Sequence, residues 1–173
     1  MIQSFAAIVG GDAVLTGEPA APYLSDWRGR YSNLRDWLEL ATIPGVELIS
    51  LQQGRDSEDI IACAAEGLID DDAITIARDW LATAKIIADL DLVICVDTAV
   101  AHLAGALGTP VWMLAQYTNC WRWWDIENGT GRPWYKSMRI LRQPKPGDWT
   151  TLLRTCVEDL RKRESRTELL NAA

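Results

Sequence analysis

The chain has 173 residues, 49% apolar and 24% charged, with a formal net charge of −7. That size and balance fit one globular domain that buries a core without covalent staples, and exclude long disorder away from the ends. The acid excess, with no stripe of Lys or Arg, argues against a nucleic-acid binder. The basic run Arg161-Lys162-Arg163 is interleaved with Glu158, Asp159 and Glu164 and reads as a solvated mixed-charge face.

In chain order, Ile2 to Val9 reads as a first strand, closed by Gly10-Gly11, and residues 12–32 read as loop. Asn33 is placed to cap a helix through about Ala41, with Leu34, Trp37, Leu38 and Leu40 on its inner side. After the Pro44-Gly45 turn, Val46 to Leu51 is apolar enough for a buried strand. Ser57 opens a helix to about Glu66, Asp70-Asp71-Asp72 is a turn, and a further helix lies near Thr83–Leu90, with Ala84, Ile87, Ala88 and Leu90 facing inward. Asp79, Asp89 and Asp91 read as caps and turn residues rather than catalytic acids.

Leu92 to Val96 is the clearest strand, five apolar residues between Asp91 and Asp97. A helix follows from about Ala99 to Leu107, ended by Gly108 and Pro110. Val111 to Leu114 and Met138 to Leu141 are further strands, separated by a polar-aromatic loop over 115–137. A loop of that length is usually functional. It holds four of the nine tryptophans: Trp121, Trp123, Trp124 and Trp134. They are expected either to stack on a ligand and close a cleft, or to pack against the carboxyl-terminal helix, which runs from Trp149 to about Glu164. Strands alternating with helices in this way predict an α/β domain around a mostly parallel sheet.

The four cysteines, Cys63, Cys95, Cys120 and Cys156, form no CxxC pair, and His102 is the one histidine. No zinc or other metal site is expected, and the pattern suits a reducing, cytoplasmic setting. No apolar run reaches transmembrane length and no signal peptide is predicted.

The segment with chemical content starts at Asp97. Ligands of open parallel sheets collect at the carboxyl ends of strands. Here the next helix starts at once, and Ala99 and Ala101 in its first turn let an anion approach unpaired backbone N–H groups. Thr98 adds a hydroxyl, His102 lies one turn in, and Asp97 is placed to orient the turn. The alternative is an ordinary helix cap and a core histidine. No GxGxxG follows the first strand and no GxxxxGK[ST] occurs, which disfavours a dinucleotide fold and a P-loop ATPase.

From Asn33 to Leu160 the residues resemble the carboxyl-terminal domain of family 9-like, heptosyltransferase-like glycosyltransferases, especially those bacterial proteins in which it follows tetratricopeptide repeats. The resemblance is carried by Leu48-Ile49-Ser50-Leu51-Gln52, by Ile87 through Gly108, by Trp121-Arg122-Trp123 and Pro133-Trp134-Tyr135, and by Arg142-Gln143-Pro144 with Gly147-Asp148-Trp149. It implies a three-layer, Rossmann-like domain, one half of a GT-B enzyme, over 33–165. Residues 1–32 match poorly but belong to the same domain, and 166–173 form a flexible tail.

By that likeness Asp97, Thr98, Ala99 and His102 contact the diphosphate and sugar of a nucleotide-sugar donor, and His102 stabilises the leaving group. Arg30, Trp121 and Arg122 are further candidate contacts. Tyr31 stands where the family has Ser in its Arg-x-Arg-Ser loop, and Cys120 where it often has Asp. No metal or other cofactor is implied. The acceptor, and the general base of an inverting member, belong to a facing domain, so a partner chain or a homo-oligomer is implied. The alternatives are a non-catalytic sugar-nucleotide-binding module lacking the acceptor domain and, less favoured, a nucleotide-sugar epimerase, for which one histidine is a poor acid/base complement.

Overall fold

A computed structural model describes residues 5–9, 37–51, 79–118, 123 and 134–171. The helix expected over Ser57–Glu66, the loop over 12–32, the cap Asn33 and its neighbour Leu34, and Cys63 and Cys120 lie outside the described residues.

Five strands form one parallel sheet: β1 (Phe5–Val9), β2 (Glu47–Ser50), β3 (Leu92–Val96), β4 (Val111–Ala115) and β5 (Met138–Arg142), in the spatial order β2-β1-β3-β4-β5. Three α-helices are described: α1 (Trp80–Ala88), α2 (Ala99–Leu107) and α3 (Trp149–Asn171). The fold is an α/β, three-layer, Rossmann-like domain, as the alternation of strand and helix patterns predicts.

The strand β3 shows why. All five of its residues are buried, because a strand inside a parallel sheet is covered on both faces. With side chains alternating across the sheet, Leu92, Ile94 and Val96 face one core with Trp149, Leu153 and Val157 of α3. Val93 and Cys95 face the other, with Ile87 of α1 and Val100, Ala101 and Ala104 of α2. Arg139 of β5 ties α3 to the first face: its guanidinium lies 5.6 Å from the Trp112 ring centre and pairs with Asp159 at 2.7 Å.

Several boundaries differ from those read in the sequence. Trp37 is α-helical, and the segment after it, expected as α-helix through about Ala41, is a 3-10 turn over Leu38–Thr42 stopped by extended backbone at Ile43 just before Pro44. Trp37 and Leu40 are buried there, as expected. Helix α1 begins at Trp80 instead of Thr83, because Asp79 caps it: the Ala82 amide donates to Asp79 Oδ1 at 2.7 Å. Its buried residues are accordingly Thr83 and Ile87, with Leu90 buried just past its end, while Ala84 is half-buried and Ala88 is exposed. Helix α3 runs on to Asn171, past Glu164, through residues with no Gly or Pro to break it. Helix α2 ends as expected. Gly108 adopts φ +80°, and the Gly108 and Thr109 amides donate to the Gly105 and Ala104 carbonyls, a left-handed cap that a Cβ would strain.

The thiols of Cys95 and Cys156 are buried and free. Burial, reinforced by the Asp97 carboxylate, drives the Cys95 pKa far above the ordinary thiol value. Burial also pushes Cys156 up to about 12, against the lowering effect of Arg139. A raised pKa keeps the unreactive protonated form. N-ethylmaleimide at neutral pH is therefore expected to leave both cysteines unmodified in the folded chain and to label both in urea, as read by peptide mass spectrometry. Fast native labelling of Cys95 would contradict its placement. No described helix is long and apolar enough to cross a membrane.

Candidate functional site

The strand order locates the site. From β1 the chain moves outward to β2, then returns across the sheet to β3 on β1's other side. Connections that leave two neighbouring strands in opposite directions open a crevice at their carboxyl ends. Val9 is level with Cys95 in the register, so β1 and β3 end together. Asp97 and Thr98 follow β3 at that edge, and α2 starts at Ala99.

The start of α2 differs from those of its neighbours. Asp79 fills the end of α1, and Asp148 Oδ1 accepts the Thr151 amide at 3.1 Å at the start of α3. That hydrogen bond from Thr151, more than any nearby cation, lowers the Asp148 pKa. At α2 the N-cap is Thr98 rather than Asp97; its backbone is extended, and its hydroxyl caps nothing. Thr98 Oγ1 is instead a buried atom with no hydrogen-bond partner among the described residues. An unsatisfied buried hydroxyl costs about 1–3 kcal/mol, so its retention needs a reason. Ala99 beside it is exposed and Asp97 half-buried.

His102 is half-buried and lies four residues beyond Thr98, hence on the same helix face. Its ring is held on two sides. Trp123 stacks on it with centroids 4.9 Å apart and planes at 22°. Tyr135 meets it edge-on at 5.8 Å and 71°, and the Tyr135 hydroxyl is 3.1 Å from Nδ1. Tyr135 comes this close because of Gly105. A Cβ on Gly105 would overlap the tyrosine ring, with Cδ2 only 2.6 Å away. Glycine inside a helix costs roughly 0.5–1 kcal/mol relative to alanine, so the approach of Tyr135 outweighs helix propensity here.

Trp123 does not pack against the carboxyl-terminal helix. It is fully buried among side chains of α2 and the sheet, on the face opposite α3, and its ring partner is His102. Trp134 is exposed. Arg30, Trp121, Arg122 and Trp124 lie outside the described residues. Asp79 and Asp89 are the caps of α1, as expected, and Asp91 is exposed.

Sequence reasoning missed Trp123, Tyr135 and Gly105 as neighbours of His102, and also Gln143. This side chain is 3% exposed, and its Oε1 accepts the Tyr117 and Gly147 amides, each at 3.2 Å. It thereby joins the segment leaving β4 to the turn before α3 at the same edge of the sheet. A glycine interrupting a helical pattern signals close approach, and Gly105 carried that signal. Among the described residues no three His, Cys, Asp or Glu side chains gather to hold a metal.

Comparison with known proteins gives two findings. The chain is 33% identical over 124 residues to protein FlbA of Caulobacter vibrioides, a match covering 69% of this chain and 20% of that protein. The chain thus spans a small part of the curated relative it matches. No solved structure matches it at a significant level. The profile of glycosyltransferase family 9 (heptosyltransferase) matches residues 49–159, which include β3, α2, Trp123 and Tyr135, and on that match the chain belongs to glycosyltransferase family 9.

Proposed function

We propose that this domain binds the nucleotide diphosphate sugar donor of a glycosyl transfer, with the diphosphate at the start of α2. The observation that carries the reading is Thr98 Oγ1, a buried hydroxyl without a partner, at a helix start its own side chain does not cap. Position supports it too, since the crevice between β1 and β3 is where such a sheet takes its ligands. A helix start carries the equivalent of about +0.5 charge and presents unpaired N–H groups. A diphosphate there gains charge as the glycosidic bond breaks, so fixed donors stabilise the transition state more than the ground state. Thr98 supplies a hydroxyl donor and His102 a ring nitrogen. Asp97 orients the turn, and the small Ala99 leaves room.

On this reading no metal is needed, because the helix start and side-chain donors take over charge neutralisation. Acceptor and proton-accepting base belong to a facing domain, in GT-B fashion. Free thiols at Cys95 and Cys156 suit a cytoplasmic setting.

Calorimetry with UDP, ADP, GDP and their sugars tests the reading. Hydrogen bonds to charged groups contribute about 1.5–3 kcal/mol, so Thr98→Val and His102→Ala should each weaken the best ligand about 10- to 100-fold. Equal affinity in the wild type and both variants removes the site. Transfer assays with candidate acceptors then separate an enzyme from a binding module.

A further inference from the structure

We propose that Tyr135 is a positioning residue that fixes the tautomer of His102, keeping the proton of the neutral ring on Nε2, and that Gly105 exists to admit it. The inference uses the donor-binding reading only to say what that proton is for.

The Tyr135 hydroxyl and His102 Nδ1 are 3.1 Å apart. A phenol is a good donor, and an unprotonated imidazole nitrogen is the better acceptor of the two. The O–H of Tyr135 therefore donates to Nδ1, and the ring proton is forced to Nε2. The bond made by one ring nitrogen decides the state of the other. Among the described residues no hydrogen bond reaches Nε2, so the nitrogen that carries the proton is the one left for a ligand. The ring cannot turn to exchange the two nitrogens, because Trp123 covers its face at 4.9 Å and Tyr135 closes its edge at 5.8 Å.

Residues of a helix lean towards its amino end, so the His102 ring lies over the turn that begins at Thr98. With Nε2–H fixed, His102 becomes a neutral donor that needs no prior protonation to meet an anion. Gly105, three residues on, belongs to the same device: any side chain there would displace the Tyr135 ring and release the hydroxyl from Nδ1.

The test uses the intact chain without ligand. His102 is its one histidine, so a 15N-edited imidazole spectrum has a single, unambiguous set of signals. At a pH where the ring is neutral, the wild type should show a protonated Nε2 and an unprotonated Nδ1. Tyr135→Phe keeps the ring packing and removes only the hydroxyl. It should move both nitrogen shifts towards the averaged values of a free imidazole, and Gly105→Ala should do the same. A wild-type spectrum with the proton on Nδ1, or unchanged shifts in a folded Tyr135→Phe, overturns the proposal. The wild-type measurement needs no variant to fold. Nucleotide titration of the same sample separates the two ideas: a fixed Nε2–H without nucleotide binding keeps the tautomer device and sinks the donor site.

Discussion

Trp123→Ala is expected to destabilise the fold by about 3–5 kcal/mol, the usual cost of emptying a fully buried aromatic site. Trp123 is 0% exposed and packs among side chains of α2 and the sheet. A buried aromatic of this kind covers about 150–250 Å², and its stacking on His102 adds to that. Urea unfolding followed by far-ultraviolet circular dichroism gives the number. The control is Trp134→Ala: that ring is 58% exposed, and a change within about 0.5 kcal/mol is expected. If the two substitutions cost the same, Trp123 is not a core residue. Losing Trp123 should also free one face of the His102 ring, so the variant should lose ligand affinity under conditions where it remains folded.

The second large effect is at the centre of the sheet. Ile94 is fully buried, in the strand between β1 and β4, and its side chain belongs to the core beneath α3. Ile94→Ala should cost about 2–5 kcal/mol and Ile94→Val about 0.5–1.5 kcal/mol, a graded response that follows the volume removed. Because that core lies across the sheet from α2, neither change should alter nucleotide affinity at a temperature where the protein stays folded. Denaturation curves and calorimetry on the same preparations check both halves. A large affinity loss in Ile94→Val would mean that the sheet does not insulate the site from the α3 face.

The sheet was legible where local chemistry is unambiguous. Leu92–Val96 is a continuous apolar run between two aspartates, and nothing but a strand covered on both faces suits it. Helix α2 was legible at both ends, because Gly108 marks its stop and Thr98 its start. The start of α1 differs from the sequence reading because Asp79, legible as a cap, caps a helix that begins directly after it at Trp80, and Ala88 lies outside the buried stripe. The 3-10 turn at Leu38–Thr42 has the same inward Trp37 and Leu40 as an α-helix, so apolar periodicity over so short a stretch does not separate the two.

At the candidate site the same division holds. Asp97, Thr98, Ala99 and His102 are contiguous, so strand-then-helix geometry groups them. The partners of His102 are not contiguous: Tyr135 lies 33 positions away. Only the path of the chain back towards α2 makes them neighbours. The tryptophan loop was read from composition, and composition cannot distinguish a ring that meets a ligand from a ring that holds a histidine.

The place of β1 in the sheet has a consequence for synthesis. Ala6 is paired in register with Leu48 on one side and Leu92 on the other, so β1 gains its second neighbour only when β3 emerges from the ribosome. At about 5–20 residues per second, that wait is on the order of ten seconds. Throughout it an apolar ribbon, Phe-Ala-Ala-Ile-Val, has an open edge able to recruit another nascent chain. Yield in a cell should therefore hinge on how well that ribbon is shielded by a chaperone until β3 has emerged.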